Sequence, residues 1–361
     1  MKTFTATPLF TQAPSSQASH PLAARANRLA NIAPDGLGES PTWDHRTNTL
    51  YWIDIVAQTL SMAQLGSARH RPNPNGGAST TDAAAWLPSV LPKVTRFVLP
   101  FDMIGFVVPT ERTHIVALGS NHGVFLFDTR VGKAVMRGVH PEKGMARNRF
   151  NDGKVGPDGR LYAGTMQMKI TATDKRDAGS GRFYRVGEFH AKAVAVVDAV
   201  GATTVSNGLG WSPDGAHFFH ADTPTKTVSK YDFDAEQGGI TNKRVLRNLG
   251  ELPDGLCVDS LGRLWVAILQ KAEVHCIDGE SGETVAVVRV PGVKLVTSVC
   301  FGGPGLRLLF ITTSAGTTPD AVAATRKEHP NGVSGQIFIA DVGVAGQPMV
   351  PYKLGHPRAK L

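Results

Sequence analysis

The sequence predicts an all-β chain folded as a six-bladed β-propeller, and three observations support this prediction. From about Leu37 onward the chain contains many short apolar runs separated by Gly, Pro and Asp turns. No long helical pattern is recognisable, and the 39 Gly and 23 Pro residues argue against a helical bundle because both interrupt helix interiors. Finally, one phrase of sequence recurs six times along the chain.

The clearest strand candidates are short runs of β-branched and aromatic residues that end in a turn signal. They favour one large all-β unit over two separate domains, both of which a length of 361 residues would allow. These runs are LYWID (50–54), VFLFD (124–128), VAVV (194–197), VAVVRV (285–290) and IFIAD (337–341).

The recurring phrase consists of an apolar residue, a small or acidic residue, a Pro/Asp/Gly turn and an aromatic or aliphatic pair. Each copy predicts a strand, a tight turn and a second strand. The spacing of roughly 45 to 65 residues leaves room for two more strands. Four-stranded units repeated six times predict a propeller that uses the chain as one domain. The copies begin at Trp43, Val107, Val155, Trp211, Val258 and Phe301.

The repeat register also predicts a site, because equivalent positions on the innermost strands face the same level of the central channel. We compared the position that lies four residues before the apolar residue in each of the six copies. In four copies this position is a carboxylate or carboxamide residue, and in the other two it is Met103 or Thr297. One such Asn or Asp is an ordinary turn former, but four in register predict a hard divalent cation bound by oxygens. The four residues are Glu39, Asn151, Asn207 and Asp254.

Several motifs resemble those of the gluconolactonase / senescence marker protein 30 (regucalcin) / luciferin-regenerating enzyme family. The resemblance covers roughly residues 37–354. It implies a six-bladed propeller with one divalent metal ion in the channel, which in this family is calcium, zinc, magnesium or manganese. The motifs are GESPTW (38–43), RFNDGKVGPDGRLYAGTM (149–166), SNGLGWSPDG (206–215) and PDGLCVDSLGRLWVA (253–267).

The resemblance also implies roles for individual residues. Glu39, Asn207 and Asp254 would be the protein ligands of the metal, and Asp254 would in addition be the catalytic acid/base. These are three of the four residues that the repeat register selects. The open coordination positions would then be filled by water or substrate, as hydrolytic chemistry requires.

Arg149 and Asn151 fall where the family contacts oxygens of the substrate, so the resemblance implies that both bind substrate. Mammalian members have a glutamate three residues after the GTM motif, and this sequence has Lys169 at that place. Lys169 is therefore a candidate substrate-binding residue. The change from a carboxylate to an ammonium leaves open which pattern of sugar hydroxyls is bound.

Together these features predict a metal-dependent lactonase that opens a sugar-type lactone to its hydroxy acid. The alternative is a non-catalytic calcium- or ligand-binding propeller of the regucalcin type, since the same ligands would serve it. An interaction scaffold of the WD-repeat type is disfavoured because the copies lack Trp-Asp blade ends. The expected partner is a small-molecule lactone. The particular lactone, the metal and the oligomeric state stay open.

Charge and cysteine content narrow the class of partner. The net charge is +8, but the basic residues are scattered, which favours a solvated basic surface over a nucleic-acid site. The three cysteines do not form a Cys-x-x-Cys pair, so we expect them to be buried free thiols. No apolar run approaches the roughly 20 residues that a membrane-spanning helix needs. We therefore expect a cytoplasmic protein with neither a nucleic-acid nor a membrane partner.

Two segments are predicted to lie outside the blades. Residues 1–34 are expected to form a disordered leader ahead of a single propeller domain at 35–361. The leader has basic but no acidic residues, which is also typical of a mitochondrial presequence, so mitochondrial localisation is the alternative. Residues 65–85 are rich in Gly, Ala and Asn/Pro and predict a surface loop insertion.

Overall fold

The computed structural model describes residues 1–8, 35–65, 93–169, 175–328 and 332–355, and its strands form six sheets. One α-helix, α1, spans Pro319–Glu328, and short 3₁₀ helices cover Phe189–Ala191, Thr223–Thr225 and Pro304–Leu306. In chain order the strands are β1 (Lys2–Thr5), β2 (Thr7–Pro8), β3 (Gly38–Asp44), β4 (Thr49–Asp54), β5 (Thr59–Gln64), β6 (Val94–Val98), β7 (Phe106–Pro109), β8 (Ile115–Ser120), β9 (Gly123–Asp128), β10 (Lys133–Arg137), β11 (Asn148–Val155), β12 (Leu161–Gln167), β13 (Phe183–Val186), β14 (Val194–Val196), β15 (Ser206–Trp211), β16 (His217–Asp222), β17 (Thr227–Asp234), β18 (Gly239–Asn248), β19 (Pro253–Val258), β20 (Leu264–Ile268), β21 (Glu273–Ile277), β22 (Thr284–Arg289), β23 (Leu295–Gly302), β24 (Leu308–Ser314) and β25 (Phe338–Asp341).

The six sheets are the blades of a β-propeller, which confirms the predicted fold class. Blades 1 to 5 each use four consecutive antiparallel strands: β3–β6, β7–β10, β11–β14, β15–β18 and β19–β22. Blade 6 uses β23–β25 and β2. The first strand of each blade contacts the first strands of the blades on either side, and β23 contacts β3. The six innermost strands therefore close a ring around a central channel.

The N-terminal residues complete two blades, so the prediction of a leader is wrong at its start. β2 pairs with β25 as the outermost strand of blade 6, with Thr7 opposite Ile339. β1 runs parallel to β22 and adds a fifth strand to blade 5. Both strands are too short to show an alternating pattern, and their partners lie 284 residues away for β1 and 332 residues away for β2. The rest of the predicted leader, residues 9–34, lies outside the described residues.

The other predicted elements are found where the sequence places them. All five strand candidates coincide with strands to within one residue, namely with β4, β9, β14, β22 and β25. The tight turns between the first and second strands of blades 3 to 5 contain Gly159, Gly215 and Gly262, with φ of 79°, 69° and 80°. Such positive φ values favour glycine and explain its place in the recurring phrase. Of the predicted insertion at 65–85, only Leu65 lies within the described residues, and it is buried.

The hydrophobic core lies between neighbouring blades. Between blades 2 and 3, for example, the Phe150 ring lies edge-on to Phe106 and Tyr184, at centroid distances of 5.7 and 6.3 Å. All three cysteines are free and buried, as predicted. Within the described ranges, no helix is both long and apolar enough to cross a membrane.

After β25 the chain crosses the end of the propeller at which the innermost strands finish. The side chain of Gln347 donates from Nε2 to the Trp211 carbonyl at 3.0 Å. Further on, the Tyr352 N–H donates to the Pro109 carbonyl at 2.9 Å, and the Lys353 N–H donates to Gly159 at 3.1 Å. We call residues 342–355 the C-terminal strap, because they join blade 6 to the ends of blades 2, 3 and 4.

Candidate active site

The predicted site residues lie near the beginning of innermost strands, where the pairing with the second strand is irregular. Such β-bulges leave residues unpaired and redirect their side chains. In blade 2 no register shift occurs, and Met103 precedes β7 and offers no oxygen ligand. The register shifts fall between Glu39 and Thr42, Phe150 and Gly153, Asn207 and Leu209, and Pro253 and Leu256.

Blade 6 has the same bulge at Thr297, but this residue serves the fold. Its hydroxyl donates to the Gly38 carbonyl at 2.6 Å and lies 2.9 Å from the Thr312 hydroxyl. The first of these bonds joins blade 6 to blade 1 directly beside Glu39. The last blade therefore positions a predicted ligand without contributing one.

Two carboxyl groups, Glu39 and Asp254, dominate the electrostatics of this channel end, which we call the channel mouth. Burial raises the pKa of Glu39 to about 8, and the charge of Asp152 adds to this rise. The pKa of Asp254 is raised well above its usual range by burial and then by the charges of Glu39 and Asp152. The Ser40 N–H, 3.2 Å from Glu39 Oε2, opposes the shift only in part. The pair thus repel each other in a site where Asp254 is buried and Glu39 is half-buried.

A chain of hydrogen bonds fixes the two amides beside these carboxyls. Thr223 donates its hydroxyl proton to the Pro253 carbonyl at 2.7 Å, so it can only accept from Asn207 Nδ2, also at 2.7 Å. That bond leaves Asn207 Oδ1 on the other side, where Asn151 Nδ2 donates to it at 2.8 Å. Asn151 Nδ2 also donates to the Ser206 carbonyl. The network therefore assigns the orientation of Asn207 and directs its oxygen away from Thr223.

Arg149 brings a buried positive charge to the same mouth. Its Nη1 donates to the Phe150 carbonyl at 2.8 Å. Burial and the nearby charge of Arg176 lower the pKa of Arg149 to about 10, while the charges of Glu39 and Asp254 act against this shift. The guanidinium therefore lies within electrostatic reach of both carboxyls and of a second arginine. The structure brings together five predicted site residues: Glu39, Arg149, Asn151, Asn207 and Asp254.

Lys169 is not part of this group. It lies two residues beyond the end of β12, and its side chain is exposed. In the part of the chain that the structure describes, no hydrogen bond or ion pair joins it to the other site residues. Its assignment to substrate binding stays a prediction.

Sequence reasoning missed three residues of the site. Asp152 is the third carboxyl at this level, and burial raises its pKa to about 6 while Lys154 opposes the rise. Thr223 orients Asn207, and Arg176 approaches Arg149 while its Nε donates to the Gln167 carbonyl. A signal was available only for Asp152, which directly follows Asn151 at a bulge.

The donor chemistry of the mouth fits a divalent cation. Glu39 and Asp254 supply two anionic groups that would offset a double positive charge, and Asn207 supplies a neutral amide oxygen. Within the described ranges, no group of three or more His, Cys, Asp and Glu side chains is placed to hold a metal. The ligand set predicted here has only two such side chains, because its third member is an amide. The metal stays a prediction.

The fold and the mouth together define a class: six-bladed propellers that gather carboxyl, amide and arginine side chains at one end of the central channel. The chain belongs to the family described as the SMP-30/Gluconolactonase/LRE-like region, whose model matches residues 37–315. This match confirms the resemblance seen in the sequence motifs.

Individual relatives agree with this assignment. The chain is 30% identical to regucalcin of Gallus gallus over 320 residues, which is 88% of this chain and 94% of the relative. It is 32% identical to 6-deoxy-6-sulfogluconolactonase of Pseudomonas putida over 317 residues, 87% of this chain and 94% of the relative. Both relatives are therefore matched over nearly their whole length.

Solved structures share the fold. A luciferin-regenerating enzyme superposes with a TM-score of 0.72 at 26% identity, covering 90% of this chain and 98% of the other. A regucalcin from Agrobacterium tumefaciens, described as calcium-binding, gives a TM-score of 0.73 at 24% identity, covering 98% and 99%. At that identity the second likeness shows the fold alone.

Proposed function

We propose that the protein is a metal-dependent lactonase that hydrolyses a sugar-type lactone to its hydroxy acid. The observation on which the proposal rests is that Glu39 and Asp254 interact electrostatically in a largely buried mouth, next to the oriented oxygen of Asn207 and the buried Arg149. Sulfogluconolactonase, one of the relatives, is named for lactone chemistry, which supports the same reading.

The residues that would hold the cation are Glu39, Asn207 and Asp254. A divalent cation bound there would supply Lewis-acid polarisation of the lactone carbonyl. Its charge would offset the repulsion between the two carboxyl groups, which in its absence favours their protonated forms. Calcium, zinc, magnesium and manganese are all compatible with a set of carboxylate and amide oxygens.

The chain's own residues would perform the proton transfers and the positioning. Asp254 would accept a proton at its carboxylate from the attacking water, and would return that proton to the ring oxygen as the acyl C–O bond breaks. Arg149 and Asn151 would bind the lactone hydroxyls and hold the carbonyl carbon in line with the water. Atoms balance, since one water is added and one ester bond is broken.

The positive charges near the mouth suit an acidic product. Arg149 is buried, Arg176 lies within its electrostatic reach, and the exposed Lys169 is at the end of the same blade. A hydroxy acid would leave with a carboxylate that these cations attract. The sulfonated lactone named for the Pseudomonas putida relative therefore belongs among the substrates to be tested.

A lactone panel tests the proposal. The purified protein, loaded in turn with Ca²⁺, Zn²⁺, Mg²⁺ or Mn²⁺, would be assayed with gluconolactone, galactonolactone, arabinolactone and 6-deoxy-6-sulfogluconolactone by indicator-monitored acid release. We expect release above the spontaneous rate with at least one pairing of ion and lactone. Tight ion binding without acid release from any lactone would contradict the lactonase and favour the non-catalytic binding propeller.

The hydroxyl of Thr223 offers a test of how Asn207 is held. Thr223→Val keeps the shape of the side chain but removes the group that accepts from Asn207 Nδ2. Because partners of metal ligands fix ligand orientation, we expect metal affinity to fall by about 10- to 100-fold. Thr223→Ser, which keeps the hydroxyl, is the matched control and should bind almost as wild type. Calorimetric titration would measure both, and equal affinity in the valine variant would refute this role.

A further inference from the structure

The central channel contains a second cavity at the end opposite to the mouth. Its walls come from the last residues of the innermost strands and from the C-terminal strap, and its volume is about 320 Å³. That volume lies within the range of small-molecule sites in proteins, at its lower limit. We call it the far cavity, and its apolar wall residues include Trp43, Val108, Trp211, Val258, Phe301 and Met349.

The far cavity is distinct from the mouth because the two sites lie at opposite ends of the same innermost strands. In β3, Glu39 is the second residue and belongs to the mouth, whereas Trp43 is the sixth and lines the cavity. In β15, Asn207 and Trp211 are separated in the same way. At roughly 3.3 Å per residue, four residues of strand place the members of each pair more than about 10 Å apart. The two sites come closest along β11, where Lys154 of the cavity lies two residues after Asp152 of the mouth.

One positive charge faces this apolar space. Lys154 lines the far cavity, is half-buried, and donates from Nζ to the Leu256 carbonyl at 2.7 Å. Among the described residues no carboxylate lies within ion-pair distance of the Lys154 ammonium group. Asp152 is farther away but still close enough for the Lys154 charge to lower its pKa. The single carbonyl bond leaves two N–H donors, and a half-buried ammonium gains most from an anionic partner.

The remaining wall groups do not compete for that role. Burial raises the pKa of the Cys257 thiol to about 12 and raises that of Cys300 as well, so both are neutral. Asp214, a carboxylate in the wall, is exposed and accepts from Ser212 Oγ at 2.5 Å and from the Ala216 N–H. An anion inside the cavity would therefore meet a mainly apolar surface, the neutral side chains of Thr42, Ser212 and Gln347, and one ammonium group.

We propose that the far cavity is a second ligand site, which binds a small carboxylate with an apolar body. The carboxylate would accept from Lys154 Nζ, and the body would pack against apolar wall residues such as Val108, Val258 and Met349. The C-terminal strap, through Gln347 and Met349, would form the floor of the site. This assignment is independent of the lactonase proposal, because it uses none of the mouth residues.

Binding of octanoate to the full-length protein tests the site, with octanol and octylamine as probes of equal chain length. Calorimetry would give the affinities, and tryptophan fluorescence would report on the cavity, since two of the five tryptophans line it. We expect octanoate to bind more tightly than either probe. Lys154→Met should weaken octanoate binding by about tenfold or more but leave octanol binding almost unchanged.

Two further variants locate the bound molecule. Arg149→Met removes a buried cation at the mouth and should therefore leave octanoate affinity unchanged. Met349→Trp fills the far cavity from the strap and should weaken both octanoate and octanol. Circular dichroism would confirm that each variant is folded. Absence of octanoate binding, equal affinity for octanoate and octanol, or a loss in Arg149→Met but not in Lys154→Met would overturn the proposal.

Discussion

Replacement of Asp254 by asparagine should abolish lactone hydrolysis, with a fall in kcat of about 10³-fold or more. The substitution keeps the size of the side chain but removes the group that accepts the proton of the attacking water, a contribution of about 10² to 10⁴ by itself. It also removes one of two anionic groups that would hold the cation, so metal affinity should fall as well. Indicator-monitored acid release and calorimetric metal titration would measure the two losses.

The same variant should make the metal-free protein more stable. Asp254 is desolvated and repelled by Glu39 and Asp152, so its ionised form destabilises the folded state near neutral pH. Asparagine removes that charge, and the melting temperature without metal should rise. A residue that serves function at a cost in stability behaves in this way.

Asp259→Asn is the matched control, because it makes the same chemical change at the other end of β19. The carboxylate of Asp259 accepts from Trp265 Nε1 at 3.0 Å and from Arg263 Nε at 2.8 Å. This control should lower the melting temperature and retain hydrolysis. A fully active Asp254→Asn variant, or one destabilised without metal as Asp259→Asn is, would contradict the role given to Asp254.

Deletion of residues 1–8 should cost about 3 kcal/mol of unfolding free energy or more, because β1 and β2 complete blades 5 and 6. The deletion removes the hydrogen bonds of both strands and of the Ala6 N–H to the Arg289 carbonyl. It also exposes the apolar surface on which Phe4 and the buried Ala6 pack, beside Trp265. Denaturant unfolding of the full and truncated chains would give the difference.

A synthetic peptide of residues 1–8 provides the control for this truncation. If the strands act by pairing with β22 and β25, the added peptide should bind the truncated protein and restore part of its stability, as any ligand of the folded state does. A scrambled peptide of the same composition should have no effect. Unchanged stability after truncation would show that the N-terminal strands do not close the propeller.

The fold and the predicted ligand positions could be read from the sequence because both depend on the repeat. A phrase that returns once per blade fixes which strand is innermost, and the register then places Glu39, Asn207 and Asp254 at one level of the channel. The structure puts all three at the beginning of innermost strands, each at a bulge. Local patterns of about ten residues were sufficient for this part.

Residues that act through irregular or distant pairing could not be found in the same way. Strict alternation along β11 would put Asn151 and Asp152 on opposite faces, but the bulge after Phe150 lets both approach the mouth. Thr223 reaches Asn207 from a 3₁₀ helix 16 residues away, through hydrogen bonds that no periodicity encodes. The strands β1 and β2 pair across nearly the whole length of the chain, and their few residues give no pattern.

The proposed function requires one divalent cation at the mouth for lactone hydrolysis. Chelator-treated protein would be titrated with the most effective ion of the panel while ion binding and acid release are measured on the same samples. We expect no hydrolysis at the start, activity that rises in parallel with binding, and saturation at one ion per chain. Full hydrolysis in the chelated protein, or ion binding that saturates in the Asp254→Asn variant exactly as in wild type, would contradict this requirement.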